Sequence, residues 1–246
     1  MIARRKTSMK RKQGRAFDEL RPVTMTPGYI RYPEGSVLIE TGNTKVLCCA
    51  TLEDQVPAWK EKNNIPGGWV TAEYALLPRA THTRRPREVD GFGGRTQEIR
   101  RMIGRSLRAA VNMEALGPRT CIVDCDVLQA DGGTRTASIT GGYAAMALAL
   151  QDLITREELG ADVLRAPIAA VSVGLVGGEP ALDLSYEEDS GADVDLNVVM
   201  NARGAYVEIQ GTGERRAFTR DELEAMLALA HKGIQELLTC QEEILT

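Results

Sequence analysis

Two stretches of the chain carry side chains whose types and spacing suit reactions at phosphate esters. The first is DGGTRT, Asp131 to Thr136. A run of apolar and β-branched residues from Cys121 to Leu128 precedes it, and a run rich in Ala, Gly and Met follows. That order predicts a buried strand, a Gly-Gly turn and a packed helix. The first turn of a helix has backbone N–H groups without acceptors inside the helix, and the helix dipole favours an anion there. Thr134 adds a hydroxyl, and Arg135 adds a fixed charge with a planar fork of donors. A phosphate or phosphodiester is the expected guest. The simpler alternative has Asp131 capping the helix and Arg135 as a surface charge.

The second stretch is EEDSGADVD, Glu187 to Asp195. A strand is expected from about Asp193, which puts Asp193 and Asp195 on one face. Asp189 lies in the turn before it and can fold back beside Asp195. Paired carboxylates suit a hydrated Mg²⁺ or Mn²⁺ that also touches phosphate. Alternatively, one carboxyl has its pKa raised by its neighbour and donates a proton. A solvated acidic loop is the plain alternative. A third candidate is Arg95, directly after Gly93-Gly94 at a predicted helix start. A cation there opposes the helix dipole unless an anion sits nearby.

These residues need elements to hold them. Val23–Tyr29, Ser36–Glu40, Lys45–Leu52 and Trp69–Tyr74 read as strands, the first of them an antiparallel meander punctuated by Pro33-Glu34-Gly35 and Gly42-Asn43. Gln55 to Gly68 reads as a loop. Pro78 to Gly94 is a second, arginine-rich loop that holds Arg79, Arg84, Arg85 and Arg87, and a loop this long in a compact domain is usually functional or disordered. His82, within it, reads as incidental. A helix is expected from Arg95 to about Leu116, with Ile99, Ile103, Leu107 and Ala110 as its apolar stripe. Further strands are expected over Ile168–Val176, Ala181–Leu184, Asp193–Met200 and Tyr206–Gln210. A last helix starts at Thr219, with a Thr219/Glu222 capping box. Strands precede helices in each half, which favours an α+β fold with a mixed sheet and helices packed on one side. No linker divides residues 14–246, so they read as a single domain, and the basic residues 1–13 read as a disordered arm.

Composition narrows the function classes. The 246 residues contain no apolar run long enough for a membrane span, and the basic N-terminus lacks the apolar segment of a secretory signal. Five cysteines without regular spacing suit a reducing compartment, so the cytoplasm is the expected location. Two histidines make a zinc site improbable. There is no G-x-S-x-G, Walker A or G-x-G-x-x-G sequence. The net charge of −4 hides an asymmetry. Residues 1–15 carry seven Lys or Arg and no acid, and residues 79–108 carry nine Arg against three acids. From Gly177 onward there are fifteen acids and five basic residues. Segregated positive charge suits a polyanion such as nucleic acid.

From about Gly14 to Glu243 the chain resembles the ribonuclease PH family. The resemblance rests on GRAFDELRPV, YPEGSVLIETGNTKVLC, GWVTAEYALLPRATHTR, GRTQEIRRMIGRSLRAAV, DCDVLQADGGTRTASITG, YEEDSGADVDLNVVM and EIQGTGE, in family order. It implies the fold shared with the second domain of a small-subunit ribosomal protein. It implies a phosphate-dependent 3′→5′ exoribonuclease that trims tRNA precursors, releases nucleoside diphosphates and can run in reverse, with further roles in rRNA processing or decay of structured RNA. Inorganic phosphate is then the co-substrate and Mg²⁺ or Mn²⁺ the metal. Carried over by motif, phosphate falls on Arg95, Gly133, Thr134 and Arg135, and the metal on Asp189 and Asp195. Asp189, Asp195 and Arg95 would be catalytic, and Arg79, Arg84 and Arg87 would engage RNA. The implied assembly is a homohexamer, a trimer of dimers. Gln13 departs from the family, which usually has Asp there. A hydrolytic nuclease and a catalytically silent RNA-binding ring subunit are the alternative readings.

Overall fold

The structure, a computed structural model, describes residues 11, 14–89 and 91–246. Strands β1 (Val23–Pro27), β2 (Gly35–Thr41) and β3 (Thr44–Glu53) form the expected antiparallel meander. The connection after β3 is not the plain loop expected for Gln55–Gly68, because it holds a short helix, α1 (Ala58–Lys62). Buried Lys60 draws the connection closed by donating from Nζ to the carbonyls of Ile65, Pro66 and Gly67. Strand β4 (Trp69–Leu76) follows, then the arginine loop, then α2 (Gly94–Ala109). The expectation that this helix reaches Leu116 is corrected. Val111 leaves the helix to bridge Leu164, and a separate turn, α3 (Met113–Leu116), takes over.

Strand β5 (Thr120–Gln129) pairs antiparallel with β3 and parallel with β4, so this mixed sheet runs β1-β2-β3-β5-β4. Its alternation places Cys121, Val123, Cys125 and Val127 in the core. Helix α4 (Thr134–Thr155) packs on β2, β3 and β5 and, on its other side, on β6 (Ile168–Val176). A helix covered by sheet on both sides has no polar face to offer, and its residues from Thr136 to Ala147 are buried without interruption. Glycine makes the approach close: a Cβ on Gly141 would stand 2.6 Å from Ile39 Cγ2.

The remaining strands form a second sheet. β6 is joined by β7 (Glu179–Leu182), β8 (Val194–Asn201) and β9 (Tyr206–Gly213) in the order β7-β6-β8-β9, antiparallel throughout. Between β7 and β8 lies α5 (Tyr186–Gly191), where the sequence suggested only a turn. The final helix, α6 (Arg220–Leu245), opens on the expected Thr219/Glu222 capping box and covers β6 and β7. The fold is thus α+β with a mixed sheet, as expected, and a second sheet joins it through α4. One hydrophobic core surrounds α4 and takes in Ile168, Ala170 and Val199 of the second sheet, and another lies between that sheet and α6.

The expected N-terminal arm lies outside the described residues except for Arg11. Arg11 does not behave as part of a disordered arm: it is 5% exposed and bonded to Glu188 and to the carbonyls of Leu182 and Asp183. Among the described residues, no helix is long and apolar enough to cross a membrane.

Candidate active site

Both chemical stretches line one cavity of about 760 Å³ between the two sheets. Its first wall is the end of β5. Gly132 and Gly133 take positive φ values of +79° and +67°, which only glycine adopts without strain. They turn the chain so that α4 begins at Thr134 with Gly133 as N-cap. No side chain caps this end, so its first N–H groups remain open to an anion in the cavity. Asp131 is not the cap that the simpler reading supposed. Its carboxylate accepts from Asn43 Nδ2 at 3.2 Å and from the N–H of Tyr186 at 3.3 Å.

Thr134 shares a 2.8 Å hydroxyl hydrogen bond with Tyr74, whose buried phenol has a pKa raised by desolvation. Arg135 donates to Gln210 Oε1 at 3.0 Å and stands 3.7 Å from Glu98. It is held by α2 and β9 rather than loose on the surface. Arg95, in the first turn of α2, also lines the cavity. Its exposed side chain makes no hydrogen bond or ion pair with the described residues.

The opposite wall carries the carboxylates. Ser185 and Glu188 form a capping box that starts α5, and the helix presents Asp189 to the cavity. Asp195 projects from β8 into the same space, whereas Asp193, just before the strand, pairs at 3.7 Å with Arg216 outside it. Of the three aspartates the sequence pointed to, Asp189 and Asp195 line the cavity and Asp193 does not. Burial raises the pKa of Asp189. Asp195 is pushed up to about 6, first by burial and then by the like charge of Asp189, while Arg135 and Arg95 oppose the shift. Asp195 Oδ1 is buried without a hydrogen-bond partner among the described residues. Two crowded, partly desolvated carboxylates with an orphaned oxygen fit a hard divalent cation that completes its shell with water and phosphate. Among the described residues, no cluster of three or more His, Cys, Asp or Glu forms a metal cage of protein ligands alone.

The arginine loop divides. Arg79, Arg84 and Arg87 are exposed and do not line the cavity, but Thr81, His82, Thr83 and Arg85 do. Burial raises the pKa of Asp126, on the outer face of β5, and the charge of nearby Arg87 opposes that rise. The sequence also gave no reason to single out Tyr186, Gln210, Glu214 or Arg215, which line the cavity as well. Their cavity positions depend on how β9 and α5 are set against β5, which local pattern does not encode.

Comparison with known proteins agrees with this geometry. Residues 19–150 match the model for domain 1 of the 3′ exoribonuclease family, and residues 166–233 match the model for domain 2. Among solved structures, the chain is similar to the Archaeoglobus fulgidus exosome with RNA bound to its active site, at 25% identity and a TM-score of 0.76, covering 94% of this chain and 92% of that one. It also shares its fold with rice (Oryza sativa) Rrp46, at 18% identity and a TM-score of 0.75, covering 96% of this chain and 100% of that one. An archaeal exosome core shows the same fold at 24% identity, a TM-score of 0.74 and coverage of 96% and 91%. With both family domains matched in order, and the cavity lying between the sheets that carry them, the chain belongs to the 3′ exoribonuclease family.

Proposed function

We propose that this chain is a ribonuclease PH of bacterial type, a phosphorolytic 3′→5′ exoribonuclease that trims tRNA precursors as a homohexamer. The observation that carries the reading is the opposition, across one cavity, of an open cationic helix end and a pair of carboxylates. Arg95, the Thr134 hydroxyl, Arg135 and the N–H groups that follow Gly133 bind inorganic phosphate. They present one oxygen to the phosphorus of the last phosphodiester. That oxygen forms the new P–O bond, the bond to the 3′-oxygen of the preceding nucleotide breaks with its electron pair, and a nucleoside diphosphate leaves. Positioning and charge neutralisation supply most of the acceleration in such transfers.

Asp189 and Asp195 would hold Mg²⁺ or Mn²⁺, which supplies further neutralisation at the reacting phosphoryl group when bound. Asp195 has a second role open to it. A carboxyl titrating at about 6 holds a proton on part of the population near neutrality and can deliver it to the departing 3′-oxygen. Arg79, Arg84 and Arg87, outside the cavity, contact the RNA backbone further along.

A silent RNA-binding ring subunit is the second reading, drawn from the likeness to exosome structures. The joint presence of Arg95, Arg135, Asp189 and Asp195 in one cavity weighs against it. The test is the reverse reaction. Purified protein given nucleoside diphosphates and a short RNA should lengthen the RNA at its 3′ end and release phosphate. Failure to extend it, with RNA binding intact, would favour the silent subunit.

A further inference from the structure

The phosphate-binding turn and the carboxylate helix lie far apart in sequence, yet their backbones touch. A Cβ on Gly132 would stand 2.5 Å from the Leu184 carbonyl oxygen and 2.7 Å from the Tyr186 nitrogen. The corner between β7 and α5 therefore rests directly on the Gly-Gly turn. One side chain bonds to both. Arg21 is 3% exposed and donates from Nη1 to the Asp131 carbonyl at 2.5 Å and from Nη2 to the Gly132 carbonyl at 3.4 Å. The same guanidinium grips Asp183 in a fork, Nε to Oδ2 at 2.9 Å and Nη2 to Oδ1 at 2.6 Å. The backbone N–H of Arg21 adds a third bond to Asp183 Oδ2 at 2.8 Å.

Asp183 is itself unusual. It is a non-glycine residue at φ +54°, a left-handed conformation that persists only where surrounding contacts hold it. Its strained backbone turns the chain from β7 toward Ser185, where α5 begins. Arg15 reinforces the corner, reaching Asp183 Oδ2 at 3.4 Å and Glu188 Oε2 at 3.2 Å, and Glu188 is the neighbour of Asp189. Nothing in this cluster faces the cavity, since Arg21, Asp183 and Glu188 are all absent from its walls.

We infer that Arg21, through its fork to Asp183, is a positioning residue that sets the phosphate-binding turn at a fixed distance from the helix carrying Asp189. The inference rests on the proposed function for its catalytic meaning, but the positioning itself is a statement about phosphate binding. Lysine at this position keeps the charge and loses the fork, because a single ammonium cannot hold both carboxylate oxygens and two carbonyls in one plane. Asn at position 183 keeps the shape and loses the charge.

The test compares Arg21→Lys and Asp183→Asn with Met226→Ala, a cavity variant in the second core that destabilises without touching the cluster. Affinity for inorganic phosphate is measured by calorimetry, and KM for phosphate and for a short oligoribonucleotide by kinetics, all well below each variant's melting temperature. The expected result is a tenfold or greater rise in both Kd and KM for phosphate in the two cluster variants. KM for the oligoribonucleotide should stay within twofold, and Met226→Ala should match wild type in all three. Unchanged phosphate affinity in Arg21→Lys and Asp183→Asn would overturn the inference, as would an equal rise in Met226→Ala. Should one cluster variant fail to fold, the other decides by the same comparison. A wild-type protein that binds phosphate but releases no nucleoside diphosphate overturns the proposed function alone, and the calorimetric comparison still judges Arg21. A wild-type protein that binds no phosphate overturns both.

Discussion

Asp195 holds a carboxyl whose folded pKa, about 6, lies above its ordinary 3.8 because burial and Asp189 disfavour the charged form. The folded state then binds this proton more tightly than the unfolded one. The contribution to stability is full below the ordinary value and is lost as pH rises through about 6. With divalent cations chelated, Asp195→Asn should therefore raise stability near pH 8, by about 2 kcal/mol, and the gain should vanish near pH 4. Paired denaturant titrations at the two pH values measure this, and a gain of equal size at both would contradict it. The same variant should keep RNA binding and lose roughly 100-fold or more in turnover. The two arginine sets should fail differently. Arg95→Ala should slow phosphorolysis of a short oligonucleotide and of tRNA alike, by about 100-fold, and raise KM for phosphate. Arg84→Ala with Arg87→Ala should harm tRNA trimming far more, and flatten the salt dependence of binding by about 0.7 per lost contact on single-stranded RNA. Rates on both substrates at two phosphate and two salt concentrations separate these outcomes. Equal loss on the short substrate in both variants would end the division of labour. At this scale DGGTRT and Asp189/Asp195 stood out in the sequence by their glycine pair, hydroxyl, guanidinium and spaced carboxylates, and both stretches line the cavity. Arg21 and Arg11 did not, because a buried arginine looks like any other until its distant partners are in place.

Elements were legible wherever the apolar period ran unbroken. The alternation of β5 and the stripe of α2 appear at the expected residues, and the Thr219/Glu222 box opens α6 as its spacing dictates. The misses share a cause. Helix α2 stops at Ala109 because Val111 finds a partner in Leu164, more than fifty residues on, and no propensity at Val111 signals that contact. Helices α1 and α5 are short, with few turns to build a periodic signal. The glycines that set element spacing are testable in turn. A Cβ on Gly35, at the start of β2, would stand 2.0 Å from the backbone oxygen of Ala145 in α4. Backbone cannot rotate away as a side chain can, so Gly35→Ala should destabilise the protein by about 3 kcal/mol. Gly191, with nothing within 4 Å of its Cβ position, is the control, and Gly191→Ala should stay within about 1 kcal/mol of wild type. Similar melting temperatures for the two variants would contradict the packing account.

The whole molecule joins two sheets through α4 and leaves between them the cavity of about 760 Å³ to whose walls each sheet contributes. The first sheet brings the Gly132-Gly133 turn by way of β5, and the second brings Asp189 and Asp195 by way of α5 and β8. That division was not readable in advance, since a sequence shows strands and helices but not which strands share a sheet. Assembly is testable separately. Light scattering at low micromolar concentration should give about six times the mass of one chain, and a fully active monomer would contradict the ring. The central claim is that phosphate, not water, attacks the terminal phosphodiester. Its most direct measurement follows a labelled inorganic phosphate into the product released from a short RNA. The account predicts that the label appears as the β-phosphate of a nucleoside diphosphate, one per nucleotide removed, and that release stops in phosphate-free buffer. Unlabelled nucleoside monophosphates, released at the same rate with or without phosphate, would contradict it.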